Sequence, residues 1–586
     1  MSIPRPEYPR PQFARAEWLN LNGQWQFETD PGDSGLERGL VKRELKGLIN
    51  VPFCPESTLS GIGNVDFMEA VWYRREVEIP KAWKGRRVLL HFQAVDYDAT
   101  VWVNGTEVIR HRGGFSPFAC DLAGIAEPGT RATIVVRARD PKGEPKPHGK
   151  QCDQYHNCGC SYTRTTGIWQ TVWMEPVPET YLKRPRLTPD VASGSIRLDQ
   201  PVAGAGDGLK LRARLKDARG EVCTAETPVV DFSPTLTLRI PSDRRRLWSI
   251  EDPHLYDIEI ELQDPKGLIV DRASTYAGLR SIAIRGKAVQ LNGRNVFQRL
   301  VLDQGYYPDG ILTAPSDEAL RRDIELSMEA GFNGARLHQK VFEERFLYHC
   351  DRLGYLVWGE FPDWGIDRDR PSASYVAQWL EVLERDYSHP SIVGWCPLNE
   401  TGQTIPDRIP GLNDITRALF LATKAMDLTR PVLDASGYSH REWESDIYDC
   451  HDYDQNPATF RERHKGLAEN KPFVNDGGPN KTWSIPYRGQ PYFVSEFGGI
   501  WWNPNAKPGE DSWGYGQRPK DIEEFYTRFE GLCAALLDNP DMFGYCYTQL
   551  TDVYQEQNGI YLFGREKKFD MNRIRKAQQR KAAIEK

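Results

Sequence analysis

The feature that most constrains this chain is a change of rhythm near residue 284. From there to the end, short apolar runs alternate with longer stretches of helical periodicity. The runs are Val296–Leu302, Gly334–Leu337, Leu356–Trp358, Ile392–Trp395, Val432–Leu433, Ile447–Asp449, Tyr492–Val494 and Phe543–Tyr545. Parallel strands need a crossover before each neighbour, so strands that alternate with helices have few solutions. Eight such units in about 300 residues predict a (β/α)8 TIM barrel over 284–586. Ser316 or Asp317 can cap a helix in which Leu320, Ile324 and Met328 recur every four residues. Tyr375–Tyr387, with Leu380 and Leu383, reads as another helix, and the basic, Ala-rich Arg573–Lys586 reads as a solvated one.

Upstream the periodicity is that of antiparallel β-structure. Trp25–Phe27 and Tyr73–Ile79 alternate, and Ala99–Val103 runs into Asn104-Gly105, a strong hairpin signal. Ile168–Trp173 reads as a closing strand, so residues 1–178 are expected to form a jelly-roll-like, sugar-binding-type β-sandwich. Alternation returns in Leu209–Leu215 and Leu255–Leu262, which suits one immunoglobulin-like sandwich over 179–283. The fold expected is therefore multidomain, two β-sandwiches followed by an α/β barrel.

Bulk properties exclude several classes. With 75 Lys and Arg against 82 Asp and Glu, net charge is −7, so no basic field draws the chain to nucleic acid. No apolar run approaches the ~18 residues of a membrane span, and the N-terminal stretch lacks a signal-like apolar region. Eleven scattered Cys fit reduced thiols and a cytoplasmic location better than a disulfide framework. The 17 Trp serve ring-rich cores, and a few can stack on the C–H faces of sugars.

Two apolar runs lead directly to a glutamate: Trp395-Cys-Pro-Leu-Asn399-Glu400 and Phe493-Val-Ser-Glu496-Phe-Gly-Gly499. In a barrel, the C-terminal strand ends face the mouth, where chemistry is done. Two carboxylates there are the equipment of a glycosidase. One protonates the departing sugar oxygen, and the other attacks the anomeric carbon if the gap is roughly 5–5.5 Å. Arg336, at the end of the second run, is suited to keep a nearby carboxylate ionised. Asp303, Gln304 and Glu360 follow the first and third runs, where sugar hydroxyls would be met. Trp364, Trp501 and Trp502 are candidate stacking platforms. The loop Lys150-Gln-Cys152 through Cys158-Gly-Cys160 to Arg164 brings Cys and His together, but in no standard zinc spacing. It reads better as a loop that reaches the barrel mouth, where Lys150 and Arg164 would touch substrate.

The motifs resemble glycoside hydrolase family 2, which holds β-galactosidases, β-glucuronidases and β-mannosidases. The resemblance runs through Trp18–Trp25, Trp72-Tyr73-Arg74, Val103-Asn104-Gly105, Gly167-Ile168-Trp169, Asp252–Tyr256, Leu291-Asn292-Gly293, His389–Ile392, Asn399-Glu400 and Ser495–Gly498. It implies that Glu400 is the acid/base, Glu496 the nucleophile, and Asn399 a ligand of the sugar 2-hydroxyl. The family pattern places a His three residues beyond the Arg, whereas here His338 comes two beyond Arg336, which leaves its role open. Asp449-Cys-His451-Asp-Tyr453 closes the sixth run, and barrels of this type commonly set a tyrosine there against the nucleophile. Tyr453 is the choice, with Tyr448 as rival. The eighth run reads Tyr545-Cys-Tyr547-Thr548-Gln549 where a Trp is expected, so Gln549 joins the candidates.

The resemblance implies a glycoside or oligosaccharide substrate and a homo-oligomer, since family sandwiches often build dimers or tetramers; no cofactor or metal is expected, because the magnesium site of some family galactosidases has no clear counterpart here. No Asn-x-Lys follows the eighth run, as family glucuronidases would have. Arg565 or Arg164 is the remaining means of binding a carboxylate. A neutral β-galactoside is thus the first expectation. A β-uronide (galacturonide or glucuronide) or an α-L-arabinofuranoside is the alternative. A catalytically silent carbohydrate-binding protein is the reading of a different class.

Overall fold

The structure, a computed structural model, describes residues 3–366, 373–401, 411–478, 481–504 and 511–586. The N-terminal part is a sandwich of a four-stranded and a six-stranded antiparallel sheet. Asp98–Val103 and Thr106–Arg112 form the expected hairpin. Asn104 (φ +51°) and Gly105 (φ +80°) both take the left-handed conformation that a two-residue hairpin turn requires. Trp25, Phe27, Tyr73, Phe92 and Ile134 meet between the sheets. A smaller sandwich follows, of a three-stranded and a four-stranded sheet. In its strand Lys210–Asp217, Leu211, Ala213 and Leu215 point inward while the residues between them stay half-exposed. Each fully buried aliphatic side chain of this kind contributes about 1.5–3 kcal/mol.

The C-terminal part is a curled parallel sheet of seven strands: Gln298–Asp303, Gly334–Leu337, Leu356–Glu360, Ile392–Cys396, Tyr448–Asp452, Tyr492–Gly498 and Met542–Thr548. The fifth expected strand is irregular. Residues 431–437 lie between the two edges of the sheet, with Leu433 N–H donating to Trp395 O (3.0 Å) and Asp446 N–H to Val432 O (3.1 Å). Among the described residues, each of the seven regular strands is followed by a helix, and this irregular one is not.

The helix Asp317–Ala330 is capped by Ser316, whose Oγ accepts from Ala319 N–H, and it ends at Gly331 (φ +100°). It buries Leu320 and Ile324 against the sheet. The C-terminal stretch is helical only over Met571–Gln578, with a short 3-10 turn at Ala583–Glu585. No helix among the described residues is long and apolar enough to cross a membrane.

The three parts share a core. Phe115, Tyr162 and Trp169 of the first sandwich and Trp248 of the second belong to the barrel's buried apolar cluster. Polar ties reinforce the join: Thr313 Oγ1 donates to Trp169 O (2.6 Å), and Trp248 Nε1 to Asp351 O (2.7 Å).

Candidate active site

Glu496 lies in the strand Tyr492–Gly498, almost wholly buried. Its register partner on the neighbouring strand is His451, brought opposite by an irregularity between Cys450 and His451. Extra residues of this kind re-aim side chains and recur beside functional sites. Arg336 Nη2 binds Glu496 Oε1, and Tyr453 Oη donates to Oε2. Arg336 is completely buried, and it also reaches Glu360 Oε2 (3.2 Å) and Asn399 Oδ1 (3.1 Å). Removing such a buried cation would leave uncompensated carboxylates.

Glu400 sits in the turn beyond Ile392–Cys396, with φ +52° and its N–H donating to Ser436 O (3.0 Å). A non-glycine residue at positive φ is uncommon and clusters at functional sites. His451 Nδ1 lies 2.6 Å from Glu400 Oε1 and 3.3 Å from Glu496 Oε2. Oxygens of the two glutamates thus come within 4.8 Å of each other.

A negative neighbour alone would disfavour the ionisation of Glu400. The imidazole between them changes that. His451 Nε2 faces Ser436 Oγ (2.9 Å), and Ser436 can give its own proton to Asp449 Oδ2 (2.9 Å). Nε2 then donates, Nδ1 donates to Glu400, and the ring carries both protons. Burial disfavours this imidazolium, but the Glu496 and Glu400 charges outweigh burial and raise His451 above its ordinary value. Burial pushes Glu400 up, yet the charges of His451, Lys150 and Arg336 outweigh it and hold the carboxyl below the ordinary glutamate range. Glu400 and His451 thus form a hydrogen-bonded ion pair.

Other expected residues surround this pair. Asn399 Oδ1 accepts from Arg336, while its Nδ2 is buried with no partner among the described residues. Trp364 Nε1 donates to Asn399 O (3.1 Å). His338 Nδ1 lies 2.9 Å from Glu360 Oε1. Burial, then the Lys150 and Arg336 charges, push this imidazole well below its usual value. Burial raises the Glu360 carboxyl, with Arg336 opposing. Gln549 accepts from Gln304 Nε2 (2.5 Å) and donates to Asn558 Oδ1 (2.8 Å).

Several expectations are corrected. Asp303 accepts from Gly305 N–H, and its charged neighbours are Asp323, Arg565 and Lys340 rather than the paired glutamates. Burial and the Asp323 charge raise it to about 7. Arg164 is spent on the carbonyls of Cys152, Gln154 and Val65 and lies over Phe67, so it braces its own loop. Trp502 packs beside Phe525 and Arg518, and Trp501 Nε1 donates to Ser512 Oγ (3.0 Å). Tyr448 donates to Ile485 O (2.9 Å) beside His440, away from the glutamates. Arg565 is paired with Asp323 (3.0 Å) and the Tyr306 and Phe563 carbonyls.

The loop from the first sandwich does reach the barrel mouth. His148 N–H donates to Trp364 O (3.0 Å), Gly149 N–H to Pro362 O (3.2 Å), and Trp513 Nε1 to Gly159 O (2.7 Å). Cys152 and Cys158 sulfurs are 3.8 Å apart, whereas Cys160 lies near Lys150, Glu556 and the two glutamates, so the three sulfurs do not converge on one ion. Glu400, His451 and Glu496 approach closely enough to hold a cation. The adjacent Arg336 and Lys150 charges oppose one.

Sequence reasoning missed Ser436, Tyr438 and Tyr515. Tyr438 adjoins Glu400, and burial followed by the Glu400 and Glu496 charges raises its hydroxyl. Tyr515 stacks flat on Tyr453 at 3.4 Å. Ser436 and Tyr438 follow the fifth apolar run, so the strand-end rule that marked Glu400 applies to them as well.

Family models match two segments: residues 60–159 match the sugar binding domain of glycosyl hydrolases family 2, and residues 180–280 a further family 2 domain. A β-glucuronidase of Paenibacillus borealis is 26% identical over 72% of this chain and 74% of its own length. A β-galactosidase of Thermoanaerobacter pseudethanolicus is 27% identical over 56% of this chain and 44% of its own length. The apo structure of a β-glucuronidase from Ruminococcus gnavus superposes with a TM-score of 0.78, covering 98% of this chain and all of that one at 20% identity. That last likeness speaks for the fold. With both accessory domains matched in order and relatives aligned across most of its length, the chain is similar to glycosyl hydrolases family 2.

Proposed function

We propose that this glycosidase is an exo-acting retaining enzyme, with Glu496 as nucleophile and Glu400 as acid/base, and that its glycone is a β-linked uronic acid. The observation that carries the chemistry is the approach of the two carboxylates to within 4.8 Å. That leaves room for an anomeric carbon to be attacked directly but not for an intervening water, which needs roughly 6.5–9.5 Å.

In the first step a Glu496 oxygen bonds to C1 as the C1–O bond breaks. The leaving oxygen takes the proton held by the Glu400–His451 pair. Esterification removes the Glu496 charge, the largest of the charges that raise His451. The imidazole then does not reclaim a proton, and Glu400 is free to take one from the water that attacks C1. The second step releases Glu496 and the sugar with its original anomeric configuration. Asn399 Nδ2, buried with no partner among the described residues, is suited to the 2-hydroxyl.

For the glycone, the neutral galactoside first expected from sequence gives way to a uronide. The β-glucuronidases of Paenibacillus borealis and Felis catus each align over 72% of this chain, against 56% for the β-galactosidase of Thermoanaerobacter pseudethanolicus. The test is proton NMR of p-nitrophenyl β-glucuronide, β-galacturonide and β-galactoside as each is cleaved. A uronide should be the better substrate, with the β-anomer of the free sugar appearing first. An α-anomer appearing first would overturn the roles assigned to the glutamates.

A further inference from the structure

Lys150 is a buried cation, 7% exposed, carried into the barrel mouth by a loop of another domain. Its Nζ lies 5.3 Å from the Trp364 ring, whose indole N–H is bound to Asn399 O. On the other side the Tyr162 ring is 5.9 Å away. Among the described residues it makes no hydrogen bond and no ion pair. Burial alone lowers an ammonium. Here the charges of Cys160, Glu556, Glu496 and Glu400 overcome burial and raise it, so it stays charged.

Among the described residues, the other cations near the site are already committed. Arg336 holds Glu496, Glu360 and Asn399. Lys340 donates to the carbonyls of Gly305 (2.6 Å) and Leu312 (2.8 Å). Lys568 is paired with Asp552 (2.7 Å), and Arg565 with Asp323. An ammonium buried without a hydrogen-bonded anion is costly, and such a group is retained where a ligand supplies the missing charge.

The loop that delivers it is built to a fixed position. Lys150 O accepts from Tyr162 N–H (2.8 Å), and Tyr162 Oη is bound to Glu556 and Gln304 beside the last barrel strand. Gly149, at φ +61°, lies so close to the Gln339 carbonyl that a Cβ would collide with it.

We propose that Lys150 reads the carboxylate of the glycone, so that specificity for an acidic sugar comes from the first sandwich rather than from residues that follow the last barrel strand. The proposal rests on the uronide reading above and supplies its recognition element. The ammonium would form a charge-assisted hydrogen bond with one carboxylate oxygen, inside a site from which solvent is largely excluded.

The test compares kcat/KM for p-nitrophenyl β-glucuronide and β-galacturonide with the β-glucoside and β-galactoside, in the full-length wild type, Lys150→Met and Lys150→Arg. The ratio of acid to neutral substrate within one protein is independent of how much of it is folded. Wild type should favour an acid, Lys150→Met should lower that ratio about 100-fold, chiefly through KM, and Lys150→Arg should restore part of it. The unmodified enzyme should lose a similar factor on the uronide methyl ester, which keeps the size and loses the charge. An unchanged ratio in Lys150→Met, or full activity on the ester, would overturn the role of Lys150 and leave the uronide reading standing. A wild type that favours the neutral glycosides would overturn both.

Discussion

His451 stands between two carboxylates, and its charge state decides how they behave. Its raised value comes from Glu496 and Glu400 acting against burial. The linkage has one sign. A histidine raised in the folded state adds stability that is complete below its ordinary value of about 6.5, and that stability is lost as pH rises through the raised value. We therefore expect long-range 1H–15N NMR to find both ring nitrogens of His451 protonated at pH 7. Glu496→Gln should lower its titration point, because the largest raising charge is gone; an unshifted titration would contradict the pairing. Glu400 and Glu496 stood out in sequence because each follows a short apolar run, and Tyr453 because of the family resemblance. The pairing of Glu400 with His451 was not legible. It depends on the positive φ of Glu400 and on the register irregularity at His451, neither of which has a sequence signature.

At the scale of elements, the loop from His148 to Arg164 joins the first sandwich to the barrel mouth. Its position depends on Gly149, which has positive φ and no room for a side chain. Gly149→Ala should displace Lys150 and reduce kcat/KM on a uronide by at least about tenfold, with a melting temperature several degrees lower. Wild-type kinetics in that variant would mean the loop is not held where it acts. The regular strands and the Ser316 cap were readable because period-two and period-four patterns report burial directly. The fifth strand was readable as an apolar run but not as an irregular one, since Pro431 and Gly437 interrupt it from either side. Arg164 looked like a substrate contact because sequence gives charge without direction, and in the fold it is absorbed by backbone carbonyls.

Across the whole molecule, the first sandwich packs into the barrel and carries a loop to its mouth. Tyr162 and Trp169 sit in the barrel's buried cluster, and the loop carrying Lys150 is fastened to it. The order of sandwich, sandwich and barrel was legible from changes of periodicity. The reach of the first sandwich's loop to the barrel mouth was also expected from sequence, but the packing that fixes Lys150 there beside Tyr162 and Trp364 was not, because no local pattern records a contact between distant segments. What the account requires above all is that Glu496 bonds to the anomeric carbon. The direct measurement treats the enzyme with 2-deoxy-2-fluoro-β-glycosyl fluorides, uronosyl and galactosyl. Their leaving group needs no acid, and their fluorine slows release of the ester. Peptide mass spectrometry should find one adduct, on the segment containing Glu496, absent from Glu496→Gln and formed faster by the uronosyl reagent. An adduct on Glu400 or on any other residue would contradict the account.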